Sequence, residues 1–128
     1  METKFNFNSA ICTSLEQSRR LLDLGLKKET ADMCWTEVGT KSRTYYVPEL
    51  APINMVSWMH TPAWSLHRLI ELIKTSEFKV LNSYKYGEAT KSFILRMIIH
   101  SDDIYEGIVE AMEILIEKYH FLNKEYLV

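Results

Sequence analysis

The chain has two cysteines, three prolines and four glycines in 128 residues, and a net charge of only −2. Each scarcity removes a class of explanation. Cys12 and Cys34 stand far apart, without the short spacing of a zinc ribbon, and two thiols cannot form the framework of a disulfide-stapled scaffold. In a reducing compartment each reads as a small buried thiol. None of the four glycines falls in a phosphate-cradling cluster, which excludes a P-loop and a dinucleotide fingerprint. No segment approaches the ~20 consecutive apolar residues of a membrane-spanning helix. The opening Met-Glu-Thr-Lys-Phe-Asn-Phe-Asn holds no apolar core for a signal peptide, so the cytoplasm is the expected address. With charges of both signs nearly balanced, a polyanion would have to be met by a local patch.

What is present is the composition of a globular protein, 47% hydrophobic and 25% charged. The length suits one domain, 1–128, whose single core can bury roughly two thirds of the surface exposed by the unfolded chain. Thr13-Ser-Leu-Glu16 reads as a capping box, so a helix is expected to start there and run through Leu15, Leu21 and Leu22. Gly25 supplies the left-handed residue of a Schellman stop, with Leu26 folding back onto Leu21. Residues 27–33 are long enough for one turn only.

From Trp35 to Val47 the residues turn to Thr, Val, Tyr and Gly, which predicts a hairpin with its turn at 39–42. Pro48, Pro52 and Pro62 then predict a long connection, since each removes a backbone donor and keeps its predecessor out of the helical region. Its Met55, Val56, Trp58 and Met59 need cover: the loop either lies over the core or forms a lid or partner-binding edge. A second helix starts at Ser65 as cap, or at Thr61 with Pro62 in the first helical position, and turns Leu66, Leu69, Ile70 and Ile73 to the core. Trp64, beside that start, is placed to anchor it.

Residues 78–86 alternate, with Phe78, Val80, Tyr84 and Tyr86 on one side and Lys79, Leu81, Ser83 and Lys85 on the other, which predicts a half-buried strand. A turn over 87–90 and a central strand over 92–100, apolar on both sides, complete a second hairpin. Asp102 or Asp103 caps a last helix reaching His120. The expected class is α+β, in the order helix-strand-strand-helix-strand-strand-helix, with helices packed on one face of a mostly antiparallel sheet.

The words Leu15-Glu-Gln-Ser-Arg-Arg-Leu-Leu-Asp-Leu-Gly-Leu26, Thr30-Ala-Asp-Met33 and Pro62-Ala-Trp-Ser-Leu66, followed by the apolar pattern from Leu69 to Ile73, resemble a group of small uncharacterised proteins encoded by gut anaerobes and their phages and mobile elements. The resemblance covers the chain up to about residue 75, and residues 51–61 depart from it. It implies a small soluble α+β protein and supplies no activity, cofactor or catalytic residue.

Several constellations could carry chemistry. Glu106, Glu110, Glu113 and Glu117 stack along the last helix, and Glu117 with His120 has the spacing of carboxylate-bridged metal sites. At 100° per residue the four acids fall within an arc of about 60°, opposite Ile104, Ile108, Met112, Leu115 and Tyr119, so they are expected to face water and hold no metal. His100 with Asp102 and Asp103 straddles a helix start, where acids cap. His60 and His67 lack a third ligand at a recognisable spacing, and nothing local activates either thiol. No catalytic residue, metal or cofactor is therefore assigned.

Charge is the more suggestive pattern. Lys79 and Lys85 share the outward side of one expected strand and Arg96 that of its partner, a basic face for an acidic macromolecule, with Tyr45 or Tyr46 as a stacking surface. The loop carrying Trp58 and ending at Trp64 is the next candidate surface. The expected function is that of an accessory protein binding a macromolecule, protein before nucleic acid and not a membrane, with a second copy of the chain among the partners considered. The alternative is a small hydrolase or transferase whose site assembles in space from His60, His67, His100 and the Asp102/Asp103 pair.

Overall fold

The computed structural model describes residues 10–80 and 84–128, with side chains described outside residues 77–90. Helix α1, Leu15–Asp23, starts one residue later than expected. Ser14 is its cap: Ser14 Oγ accepts from the Gln17 N–H at 3.1 Å, and Gln17 Oε1 accepts from the Ser14 N–H at 3.0 Å. Thr13 is occupied elsewhere, its hydroxyl accepting from the Trp64 N–H and bonding Ser18 Oγ. The helix ends in the expected Schellman pattern, with Leu26 N–H on Leu21 O, Gly25 N–H on Leu22 O and Gly25 at φ +100°. One 3-10 turn, Lys28–Thr30, follows.

Strands β1, Met33–Thr40, and β2, Arg43–Leu50, form the expected hairpin, longer than 35–47 at both ends and turning at residues 41–42. Its register sets Cys34 opposite Glu49, Thr36 opposite Val47 and Val38 opposite Tyr45. The connection expected to run to Pro62 ends earlier, in a third strand, β3, His60–Ala63, antiparallel to β1. Pro62 hid it. At a sheet edge the missing proline N–H costs nothing, and the strand order β2-β1-β3 leaves both proline-bearing strands at edges.

Helix α2, Leu66–Val80, starts after Ser65, whose Oγ accepts from the Arg68 N–H at 3.1 Å. Beyond it the expected second hairpin is overturned. Residues 78–80 end α2, residues 84–99 form helix α3, Tyr84–Ile99, and residues 81–83 lie outside the described ones. The burial pattern shows why. Phe93, Ile94, Met97 and Ile98 are half-buried while Leu95, Arg96, Ile99 and His100 are exposed, a repeat near 3.6 residues. Apolar residues on both sides of an alternating run fit a helix as well as a strand, and 16 residues is long for a strand.

Helix α4, Ile104–Glu117, is capped by Asp103, whose Oδ1 accepts from the Tyr105 N–H at 3.1 Å. It stops three residues before His120, which takes φ 49°. Its buried side is Tyr105, Ile108, Val109, Met112, Leu115 and Ile116, whereas Ile104 and Tyr119, expected in the core, are exposed. Around α4 gather Leu21, Leu26, Trp64, Leu69, Leu72 and Ile73. The described residues thus form four helices and one three-stranded antiparallel sheet, an α+β fold as expected.

Candidate functional site

Directly opposed residues of antiparallel strands share a face of the sheet. One face carries Met33, Trp35, Leu50 and Ala63, and it is covered by the segment before α1: Cys12 packs against Met33 and Ala63, and Trp35 Nε1 donates to Thr13 O at 2.8 Å. The other face carries Cys34, Thr36, Tyr45, Glu49 and His60. Residues 51–59 must cross from β2 to β3, and they cross this second face, because the Val56 N–H donates to Nδ1 of His60 at 2.8 Å. The crossing is tied down at its ends by Ala51 N–H on Asp32 O (3.0 Å) and Glu37 N–H on Met59 O (2.8 Å).

Under the crossing lies a small polar cluster. Cys34 is fully buried, Thr36 almost so, His60 is half-buried and Glu49 is exposed. Thr36 Oγ1 donates to Glu49 Oε1 at 2.5 Å. Its proton spent there, the same hydroxyl serves as acceptor for the Cys34 thiol at 3.5 Å. Burial pushes the Cys34 thiol up, the Glu49 charge adding to it and the Thr36 bond opposing it. Cys12 is pushed up to about 11, by burial first and by Asp32 and Cys34 after it. Both thiols are protonated at neutral pH, so neither is an activated nucleophile.

β2 and the connection after it carry an unusual number of exposed large apolar side chains. Leu50 is 78% exposed, Ile53 102% and Trp58 76%, with Val56 and the β2 residues Tyr45 and Tyr46 exposed beside them in sequence. Singly exposed apolar residues are ordinary, but six large ones within residues 45–58 are not. A groove of about 680 Å³ is lined by the start of this loop, Leu50 to Met55, together with Lys28, Glu29 and Arg68. Arg68 is held in place by Nη1 donating to Thr30 O at 2.8 Å, while its Nε lies 3.0 Å from Glu71 Oε1 as an ion pair without hydrogen-bond geometry.

The residues singled out from the sequence are dispersed. Tyr45 and Trp58 are exposed where a surface was expected. Trp64 is not on any surface: it is fully buried, its Nε1 donating to Thr30 Oγ1 at 3.0 Å, so it is an anchor of the core. Lys79 and Lys85 sit on α2 and α3, not on paired strands, and their side chains lie outside the described ones. Arg96 lines a shallow cleft with His100, Asp102, Asp103, Glu106 and Glu110, an acidic setting. The single basic sheet face expected of Lys79, Lys85 and Arg96 is overturned, because all three residues stand on helices and the described residues include no second hairpin. His60, His67 and His100 lie on β3, α2 and the end of α3, each in a different setting.

The glutamates are corrected as well. Glu110 and Glu117 are exposed as expected, but Glu106 and Glu113 hold Arg20 of α1 between them. Arg20 Nη1 lies 2.6 Å from Glu106 Oε2, and Gln17 Nε2 donates to Glu106 Oε1 at 3.1 Å. Burial would raise the Glu106 carboxyl, but the Arg20 and Gln17 hydrogen bonds and the arginine charge outweigh it and hold the group below the ordinary glutamate value. What sequence reading missed was Glu49 and Thr36 beside Cys34. The register of a recognised hairpin could have paired the first with Cys34, but His60 joins only through the strand that Pro62 concealed. No protein family, curated protein or solved structure matches this chain.

Proposed function

We propose that this protein is a binding module, without catalytic activity, that docks another protein on β2 and the loop over residues 50–58. The observation behind this reading is the exposure of Leu50, Ile53 and Trp58 at 78%, 102% and 76%, the first two lining the groove that Arg68 also lines. Large exposed apolar side chains beside a concave surface are what protein interfaces bury at their centre, and tryptophan and tyrosine are the usual anchors. The partner is a protein rather than a nucleic acid, because the exposed side chains of this loop are apolar and its groove sets Glu29 and Asp32 beside Lys28 and Arg68. Among the described residues no helix is long and apolar enough to cross a membrane. Against the enzymatic alternative, among the described residues His60, His67 and His100 stand in three separate settings, and only His100 shares a shallow cleft with Asp102 and Asp103.

The test is affinity capture from host lysate with wild type and an Ile53→Ser/Trp58→Ser variant, each with and without nuclease. Both substituted residues are exposed, so the variant folds with little change in stability. Wild type should retain a protein that nuclease does not release and the variant does not hold. Trp58 emission should shift to the blue when that protein is added, since it is the exposed one of the three tryptophans. Equal capture by both forms refutes the assignment. A retained species identified as the chain itself places a second copy on this surface.

A further inference from the structure

We propose that Cys34, Glu49 and His60 form a binding site for a single zinc-class divalent cation beneath the loop that crosses the sheet. One ligand atom from each side chain lies within 4.8 Å of the other two. The convergence is imposed by the sheet. Cys34 is on the central strand, Glu49 is opposite it on β2, and His60 is on β3 opposite Thr36, so three adjacent strands each place one ligand on the same face. Tetrahedral zinc with sulfur at about 2.3 Å and nitrogen or oxygen at about 2.0–2.2 Å needs ligand atoms roughly 3.3–3.8 Å apart, so a closure of the order of 1 Å suffices. Glu49 can supply that movement, since its side chain is exposed and held at one oxygen by Thr36.

The donor set selects the ion. One thiolate, one imidazole and one carboxylate suit zinc, and a single carboxylate oxygen is far from the six to eight oxygens calcium takes. Three protein ligands leave a fourth position, on the side where Glu49 meets solvent, for water or a ligand from a docked partner. Binding replaces the thiol proton: Zn²⁺ and Cys34–SH give Zn–S(Cys34) and one released proton. The protonated, buried thiol is therefore not an obstacle but the source of a pH-dependent affinity.

A second consequence concerns the loop. The Val56 N–H now uses the lone pair of His60 Nδ1. A cation bound at Nδ1 takes that lone pair directly. A cation bound at Nε2 forces the ring proton onto Nδ1, which then faces the Val56 N–H donor to donor. In both cases Val56 loses its acceptor, so metal binding at the sheet is transmitted to the loop that carries Ile53 and Trp58. One exposed hydrogen bond is small beside three ligand bonds, so the exchange favours the metal form.

The experiment uses the reduced, tag-free full chain titrated with Co²⁺ and Zn²⁺. One equivalent of Co²⁺ should give a thiolate charge-transfer band and the intense visible bands of tetrahedral cobalt, and Zn²⁺ should displace it stoichiometrically. The charge-transfer band should be absent in Cys34→Ser and retained in Cys12→Ser. Cys34 is buried, and its replacement puts folding at risk. Glu49→Gln and His60→Gln alter less buried positions, and each should weaken affinity by at least about tenfold, the scale on which metal-site partners act. Zinc should also accelerate hydrogen exchange at the Val56 amide in wild type and leave it unchanged in His60→Gln. Absence of the charge-transfer band at one equivalent overturns the proposal. So does a band that depends on Cys12, or an affinity indifferent to both Glu49→Gln and His60→Gln.

Discussion

Gly107→Ala inverts a familiar rule. In an exposed helix interior, replacing glycine by alanine stabilises by about 1 kcal/mol, because alanine loses less backbone entropy on folding. Gly107 lies in the first turn of α4, against the last turn of α3 and the residues that follow it. A Cβ there would stand 2.6 Å from Met97 O, 2.9 Å from Ser101 Cβ and 3.0 Å from Ile98 Cα. Carbon and oxygen normally approach to about 3.3 Å or more, so the overlap with the Met97 carbonyl is roughly 0.7 Å. Two of the three neighbours are backbone atoms and cannot rotate away. α3 must shift as a body, which pulls Phe93, Ile94 and Ile98 off the core they pack against. Overpacking of this kind costs about 1–3 kcal/mol, and a gap of half an ångström to one ångström forfeits a quarter to a half of each dispersion contact. An overlap of this size with a backbone carbonyl belongs in the upper part of that range, about 2–3 kcal/mol, so after the gain of about 1 kcal/mol from alanine, Gly107→Ala should lose about 1–2 kcal/mol net. Urea unfolding followed by far-ultraviolet circular dichroism measures it as a lower midpoint at unchanged slope. A variant as stable as wild type, or more so, would refute the close crossing of α3 and α4.

Two further outcomes bear on the core and on the α1–α4 contact. Trp64→Ala should cost about 3–5 kcal/mol, and Trp64→Phe, which loses chiefly the indole bond to Thr30, about 1 kcal/mol; an unchanged thermal midpoint in the alanine variant would contradict full burial of the indole. The Glu106 carboxyl is held below its unfolded value, so its contribution is complete above the ordinary glutamate range and is lost as pH falls through the lower folded value. Wild-type stability should therefore drop more steeply over that acid window than that of Glu106→Gln, and parallel stability curves for the two would show that Arg20 does not hold the carboxylate.

Local rules carried the parts of this chain whose partners are close in sequence. The Schellman stop at Gly25, the hairpin around residues 41–42, the Ser65 start of α2 and an acid cap on α4 each depend on bonds spanning a few residues, so they could be read without the fold. Alternation over 78–100 misled because a run with apolar residues on both sides satisfies two periods at once. Only the packing of Phe93, Ile94 and Ile98 against the core chose the helix. β3 escaped notice because the rule against proline in strands applies to paired N–H groups, and whether a strand lies at an edge is a property of the sheet.

The sequence by itself determined the α+β class, the lack of any local motif that would activate either thiol, and the lack of any phosphate-binding glycine motif, since these follow from composition and spacing. Tertiary structure alone decided the rest. It drew Arg20 to Glu106 and Glu113 across intervals of 86 and 93 residues, buried Trp64 while leaving Trp58 in water, and set Cys34, Glu49 and His60 on one face. The physical reason is one of range: capping, turn formation and periodicity act over a few residues. Ion pairing, burial and ligand convergence depend on which strands and helices become neighbours, and no local window of the chain contains both partners.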